Sequence, residues 1–410
     1  MKIPYDIKTV MEMLQINKLR NVQIKPMGSI QAGQDTFVLA PTSAGKSAMY
    51  QLPAIAHSQE ATVVIEPTIS LMHDQVQKLV SNGIAAEYLD STMSPKEQRH
   101  TLKRFAEGET QILYLTPERL TSEAFLCAVK KIRLFMVVVD ECHCVLEWGY
   151  GFRAAYLHIG EFVDSLHPRP VVAAFTATAC PSDVDRICES LHMREQKVFL
   201  NDLYRKNLVF LKKHTASRQD KQQKLIRFIR KYHQRASVIY CNTKKGVEAV
   251  YELLQKKYPD QVVKCHSGMS AKERSGHELQ FLSGERPIMV ATTAFGMGVD
   301  LGTIDLIIHF NMPLSITDYL QQAGRAGRDG QKAHCVLLYG DDDYWVNRVI
   351  LSDIKDTKAL KRALAGLDAM KEYCCDRERC QAKLLLEAFA QHHSQNCNHC
   401  TTCQRKRREH

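Results

Sequence analysis

Short apolar runs alternate with amphipathic stretches through the first 340 residues of this 410-residue chain. The first series of candidate strands is Thr36–Ala40, Thr62–Glu66, Ile112–Thr116, Leu134–Val139 and Val171–Thr176. A polar, lysine-rich stretch near Lys212–Lys224 interrupts it. The second series is Ser237–Cys241, Val262–His266, Ile288–Thr292, Leu306–Phe310 and Ala333–Tyr339. Leu134–Val139 is apolar at every position, as expected of a strand covered on both faces of a parallel sheet. Strands spaced by helices of about 10–15 residues predict doubly wound parallel sheets. The pattern therefore predicts an α/β chain with two similar lobes, residues 1–200 and 201–340. From Asp341 helical patterning takes over through Phe389, which predicts a helical subdomain over 341–410. The closing Arg405–Arg408 reads as a disordered basic tail.

The chemistry gathers at strand ends. Asp140-Glu141-Cys142-His143 follows the apolar strand directly, where open α/β sheets bind ligands. Lys46 stands 94 residues upstream in Ala40-Pro41-Thr42-Ser43-Ala44-Gly45-Lys46-Ser47, a phosphate loop except that alanine replaces its first glycine. Gly45 permits close backbone approach, Lys46 reaches the β- and γ-phosphates, and the Ser47 hydroxyl ligates Mg²⁺. Asp140 is the expected Mg²⁺ holder, and Glu141 is expected to orient or deprotonate the attacking water. His143, beside both acids, is a candidate for coupling hydrolysis to movement. These residues predict an ATP hydrolase.

The second series ends in Gln321-Gln322-Ala323-Gly324-Arg325-Ala326-Gly327-Arg328. Two arginines three apart, on a backbone that glycines let turn, suit phosphate oxygens. A guanidinium offered to transition-state charge is worth roughly 10³–10⁵ in rate.

Composition adds limits. Hydrophobic content of 45% and charged content of 24% are ordinary for a globular chain. No apolar run approaches a membrane span, and Met1 to Asp6 lacks a signal-peptide pattern, so a cytoplasmic address is expected and no membrane partner. The net charge of +10 favours a polyanionic partner. Eight of the 14 cysteines are scattered from Cys127 to Cys335, and six crowd between Cys374 and Cys403. Cys380-x16-Cys397-x2-Cys400-x2-Cys403 has spacing that suits a tetrahedral four-thiolate Zn²⁺ site, with Cys374, Cys375 and His399 as decoys.

Taken together, these motifs resemble a superfamily 2 helicase and specifically the RecQ family, over residues 14–403. Leu19-Arg20 with Gln23 matches the adenine-reading motif, so the resemblance implies that Gln23 reads the base edge. Pro67 to Gln75, including Ser70, and Thr116-Pro117-Glu118-Arg119 look like its DNA-backbone motifs. Phe175 to Ala179 resembles the motif linking hydrolysis to movement. Ile239-Tyr240-Cys241, His266-Ser267-Gly268 and the run from Ala291 to Asp300 continue the series. Within that run the resemblance implies a DNA contact for Thr292 and a nucleotide contact for Asp300. Trp148, Phe152 and Arg153 sit in a segment similar to the family's aromatic-rich loop. Stacking of bases on such rings is worth about 1–3 kcal/mol each. Ile16, Tyr150-Gly151 and Gln322 depart from the family's usual residues, and Ser43-Ala44 is similar to Ski2-like helicases.

The resemblance implies two RecA-like lobes and a zinc-binding helical subdomain. It also implies Mg²⁺-dependent ATP hydrolysis that drives three-prime-to-five-prime movement on single-stranded DNA in repair or recombination. Implied partners are single-stranded and tailed duplex DNA, with single-strand-binding or repair proteins. No winged-helix sequence follows Cys403, so unwinding limited to short tailed duplexes is expected. Three other readings stay open. One is a strand-annealing or translocating ATPase with little unwinding, another a noncatalytic zinc-anchored DNA-binding regulator, the third an RNA helicase. ATP turnover with single-stranded DNA or RNA, beside strand separation, discriminates them.

Overall fold

The computed structural model describes residues 6–41, 44–147, 154–232, 235–293, 295–296 and 303–409. The chain divides into two compact units, with the first boundary between Asp202 and Leu203. Among the described residues no helix is long and apolar enough to cross a membrane.

The first unit holds seven strands: β1 (Thr36–Leu39), β2 (Ala61–Ile65), β3 (Ala86–Leu89), β4 (Ile112–Leu115), β5 (Leu134–Val139), β6 (Val171–Thr176) and β7 (Lys197–Leu200). They form one sheet in the order β3-β4-β2-β5-β6-β1-β7, and every pairing is parallel. Helices Asn21–Gln31, Lys46–Ala56 and Ile69–Ser81 cover one face, packing Met27, Met49, Tyr50 and Met72 against Val38, Val64, Tyr114 and Val138. Burying each such side chain contributes about 1.5–3 kcal/mol.

The second unit holds β8 (Leu208–His214), β9 (Ser237–Tyr240), β10 (Val262–Cys265), β11 (Ile288–Ala291), β12 (Leu306–His309) and β13 (Ala333–Tyr339). Their order is β10-β11-β9-β12-β13-β8, again all parallel. Helices Asp342–Leu351, Thr357–Cys375, Gln381–Glu387 and Thr401–Glu409 follow.

Three strands are absent from the sequence-predicted series: β3, β7 and β8. Each is a sheet edge, where one side of the strand meets solvent or side chains and apolar residues are not required throughout. β7 is the extreme case, with Lys197, Val198 and Leu200 exposed.

Two expectations are corrected. The lysine-rich stretch near Lys212–Lys224, read as an interruption of the strand series, comprises the end of β8 and the start of helix Arg218–Tyr232. Lys212 is buried, and its ammonium donates to the carbonyls of Tyr373 and Asp376, closing the C-terminus of helix Thr357–Cys375. Burial lowers its pKa, and the Tyr373 ring lies 4.7 Å away. Lys221 is buried against Asp343 at 2.8 Å. The basic tail is not disordered, because Thr401–Glu409 is a helix. Two of its arginines have partners: Arg405 meets Glu378 at 3.1 Å and Glu409 at 3.6 Å, and Arg407 donates to the Asn398 carbonyl.

Candidate functional site

In the first unit the polar groups lie beyond the C-terminal ends of β1, β2 and β5. Lys46 and Ser47 open helix Lys46–Ala56, whose N-terminus presents unpaired N–H groups suited to phosphate. Gly45 precedes them at φ 74°. A Cβ there would lie 2.7 Å from the Gln23 amide nitrogen, so the position admits only glycine. Gln23 itself is buried, its Oε1 accepting from the Arg20 N–H at 2.7 Å and its Nε2 donating to the Gly45 carbonyl at 3.0 Å. A carboxamide has two acceptor sites and two donors, so one of each is left. That pair is what the N6/N7 edge of an adenine requires.

Asp140 is fixed from three directions. Its N–H donates to the Ile65 carbonyl at 3.0 Å, Oδ2 accepts from the Tyr50 hydroxyl at 3.2 Å, and Oδ1 accepts from the Glu141 N–H at 2.8 Å. The Tyr50 hydroxyl also engages Ser47, joining the two expected Mg²⁺ ligands through one phenol. Burial, then the neighbouring Glu141 charge, raises the Asp140 pKa, and Lys46 opposes them.

Glu141 stands at φ 46°, a left-handed conformation that costs a non-glycine residue about 1–3 kcal/mol. The turn is held by the Cys142 N–H donating to the Phe175 carbonyl at 2.9 Å. In this conformation Glu141 Oε1 lies 3.7 Å from Lys46 Nζ, and Oε2 lies 3.4 Å from His143 Nδ1. His143 in turn meets the Thr176 hydroxyl at 2.9 Å. The phosphate-loop lysine, the acidic strand end and the Phe175–Ala179 segment therefore form one polar chain.

Sequence reasoning missed Glu66, the residue after β2. It is fully buried, and burial followed by Asp140 and Glu141 raises its pKa well above the carboxylate range. Its position at the end of an apolar strand was the available signal.

A hydroxyl and carboxylates are hard oxygen donors of the kind Mg²⁺ takes, so Ser47 and Asp140 fit that ion. Ser70 is exposed on helix Ile69–Ser81, and Thr292 lies just past β11 with its N–H on the Cys265 carbonyl. Thr42, Trp148, Phe152, Arg153 and Asp300 lie outside the described residues.

In the second unit the arginine turn is braced by residues the sequence did not flag. Arg205 donates to the carbonyls of Gly324 at 2.6 Å and Gly327 at 2.5 Å, and Asn207 donates to Gly327 at 2.9 Å. Gly327 has φ 55°, and a Cβ there would meet Asn207 Nδ2 at 2.6 Å. Arg325 is buried, and among the described residues its Nε has no hydrogen-bond partner; Arg328 is half-buried. Gln322 accepts from His309 Nε2 at 2.8 Å, and burial drops the His309 pKa to about 3. The imidazole is neutral at neutral pH.

Cys380, Cys397, Cys400 and Cys403 converge with all sulfurs within 4.8 Å of one another. A tetrahedral zinc with Zn–S of 2.3 Å sets sulfurs about 3.8 Å apart, close to the 4.0 Å between Cys397 and Cys403. Backbone N–H groups of Cys397, Cys400 and Cys403 point at the sulfurs of Cys380, Cys397 and Cys400, which suits thiolates. The decoys stand apart: Cys374 is buried elsewhere, Cys375 is exposed, and His399 Nε2 bonds the Leu208 carbonyl on β8 at 3.0 Å.

Three family models match in series: DEAD/DEAH box helicase over residues 20–187, helicase conserved C-terminal domain over 220–330, and RecQ zinc-binding over 341–404. The chain is 36% identical to the ATP-dependent DNA helicase RecQ of Bacillus subtilis, over 93% of its own length and 63% of that protein's. It is 34% identical to the Synechocystis protein of the same name, over 77% of its own length and 67% of the relative's. It spans 58–64% of the first three bacterial relatives. The DUF1998 helicase MrfA bound to DNA and AMPPNP shares the fold, at TM-score 0.70 and 18% identity over 94% of this chain and 57% of that one. The motif order, the converging cysteines and these matches agree: the chain belongs to the RecQ family.

Proposed function

We propose that this protein is an ATP-driven DNA helicase of RecQ type that moves three-prime to five-prime along single-stranded DNA and opens tailed duplexes in repair or recombination. Lys46, with the loop residues Thr42 and Gly45, takes the phosphates. Gln23 takes the adenine edge, and Asp300 joins the nucleotide contacts. Ser47 and Asp140 hold Mg²⁺, which when bound neutralises phosphate charge. Glu141 orients the water, and His143 passes the state of the site to Thr176. Arg325 and Arg328 meet the transition-state charge. Ser70 and Thr292 contact the DNA backbone, while Trp148, Phe152 and Arg153 engage bases by stacking and charge.

Residues 1–200 and 201–340 are the two RecA-like motor lobes, and 341–410 the subdomain in which Cys380, Cys397, Cys400 and Cys403 hold Zn²⁺. Single-strand-binding or repair proteins are the expected partners, in the cytoplasm. The observation that carries the reading is the chain Lys46–Glu141–His143–Thr176, a path from phosphate loop to coupling motif. Strand separation on three-prime-tailed, five-prime-tailed and blunt duplexes, in DNA and RNA, tests it. Opening of the three-prime-tailed DNA alone is expected. A preference for RNA or for a five-prime tail contradicts it.

A further inference from the structure

Glu66 is a buried acid that no step above uses. It follows β2, and strand alternation puts it on the face of Val64, which packs with Tyr50, Tyr114 and Val138. Asp140 continues the alternation of Met136 and Val138 and so faces the same way. Glu66 is fully buried, yet among the described residues neither carboxyl oxygen has a hydrogen-bond partner. The nearby phenols are engaged elsewhere: Tyr50 donates to Asp140, and Tyr114 is bonded to Gln51 and Tyr50. The titratable groups that act on Glu66 are the carboxyls of Asp140 and Glu141, the Cys144 thiol and the Lys46 ammonium.

A buried carboxylate persists where it is paired or faces a cation. Ionised together, Glu66, Asp140 and Glu141 would set three negative charges against the single ammonium of Lys46, an excess that a divalent ion would balance. Mg²⁺ gives up its waters reluctantly and is held through one or two carboxylates. A further carboxylate then acts on the coordinated waters, whose protons satisfy the oxygens that the protein leaves bare.

We propose that Glu66 is a third acidic group of the divalent-cation site, accepting hydrogen bonds from the water shell of the ion held by Ser47 and Asp140. The proposal rests on the reading of Ser47 and Asp140 as the Mg²⁺ ligands. It makes Glu66 a positioning residue for the ion.

Mn²⁺ binding to the full chain with a non-hydrolysable ATP analogue, followed by electron paramagnetic resonance of the free ion, tests it. Glu66→Gln should weaken Mn²⁺ binding about 10–100-fold, leave metal-free nucleotide binding unchanged, and melt no lower than the parent without metal. Glu66→Ser, which also removes the charge, should weaken Mn²⁺ binding in the same range. Parental Mn²⁺ affinity in either folded variant overturns the proposal, as does a lower metal-free melting point with Mn²⁺ affinity intact. Asp140→Asn separates the two claims. If it weakens Mn²⁺ binding and the Glu66 variants do not, the Glu66 role alone fails. If Asp140→Asn has no effect, the metal-site reading itself is wrong.

Discussion

The two sheets hold their charged candidate residues in different ways. In the first unit Lys46, Glu66, Asp140 and Glu141 lie past the C-terminal ends of β1, β2 and β5, where parallel sheets bind ligands. In the second unit the arginine turn is pinned beside strand starts. Ala326 bridges Ile304 just before β12, and Gly327 is braced by Asn207 just before β8. The charge also inverts: three carboxylates and one lysine in the first, two arginines with a neutral histidine in the second. Similar folds thus offer different charges, and the strand-end rule does not by itself find the arginine turn, which is pinned beside Ile304 and Asn207. The acidic end suits a cation and the phosphates it carries, the arginine end the phosphate charge itself.

The largest expected effect separates the units by what holds them together. Lys212, Thr401 and His399 tie the cysteine subdomain to β8 within the second unit. One Zn²⁺ per chain is expected by metal analysis. Structural sites of this type contribute roughly 10–16 kcal/mol of apparent binding energy in peptides. Cys397→Ser should therefore expose the amides of the second unit to hydrogen exchange while those of the first stay protected, and Cys375→Ser should leave both protected. Equal loss of protection in both units would break the comparison.

Next in size is Arg328→Ala. It should keep nucleotide affinity and lose about 10³–10⁵ in turnover, as a group that meets only transition-state charge does. Weaker binding with maximal rate preserved would make Arg328 a ground-state ligand.

Smaller still, Gly327→Ala forces a Cβ onto Asn207 at positive φ and should cost about 1–3 kcal/mol of second-unit stability. Chemical denaturation reads this, and an unchanged midpoint refutes the brace.

The smallest effect is the pH response of His309. Its folded pKa of about 3 lies below the ordinary 6.5, so the unfolded chain binds the proton first. That contribution to stability is complete above pH 6.5 and falls away as pH drops toward 3. The denaturation midpoint of His309→Gln should lack this part of the acid slope, and identical slopes in parent and variant would show that His309 titrates normally.

Much of this was legible in the chain. Central strands must be apolar on both faces, so Leu134–Val139 and its counterparts announced themselves, and motif spacing picked out Lys46, Asp140 and the four converging cysteines. The edge strands β3 and β7 carry shorter apolar runs and passed unseen, and β8 did so because its apolar start, Leu208–Leu211, runs into Lys212-Lys213. The burial of Lys212 and Lys221 was not legible, because sequence shows charge and not the carbonyls or the Asp343 carboxylate that receive it. Arg205 and Asn207 act on a backbone about 120 residues away, which no local pattern records. The tail helix was missed because its stabilising partner, Glu378, comes from another segment.

The most direct test of the account is steady-state ATP turnover by the parent and Glu141→Gln, each with and without single-stranded DNA. The parent should turn over ATP and be stimulated by the strand, while Glu141→Gln binds nucleotide and turns over essentially none. Turnover by Glu141→Gln within about tenfold of the parent, a barrier change near 1.4 kcal/mol, would contradict the assignment of Glu141 and of the site built around it.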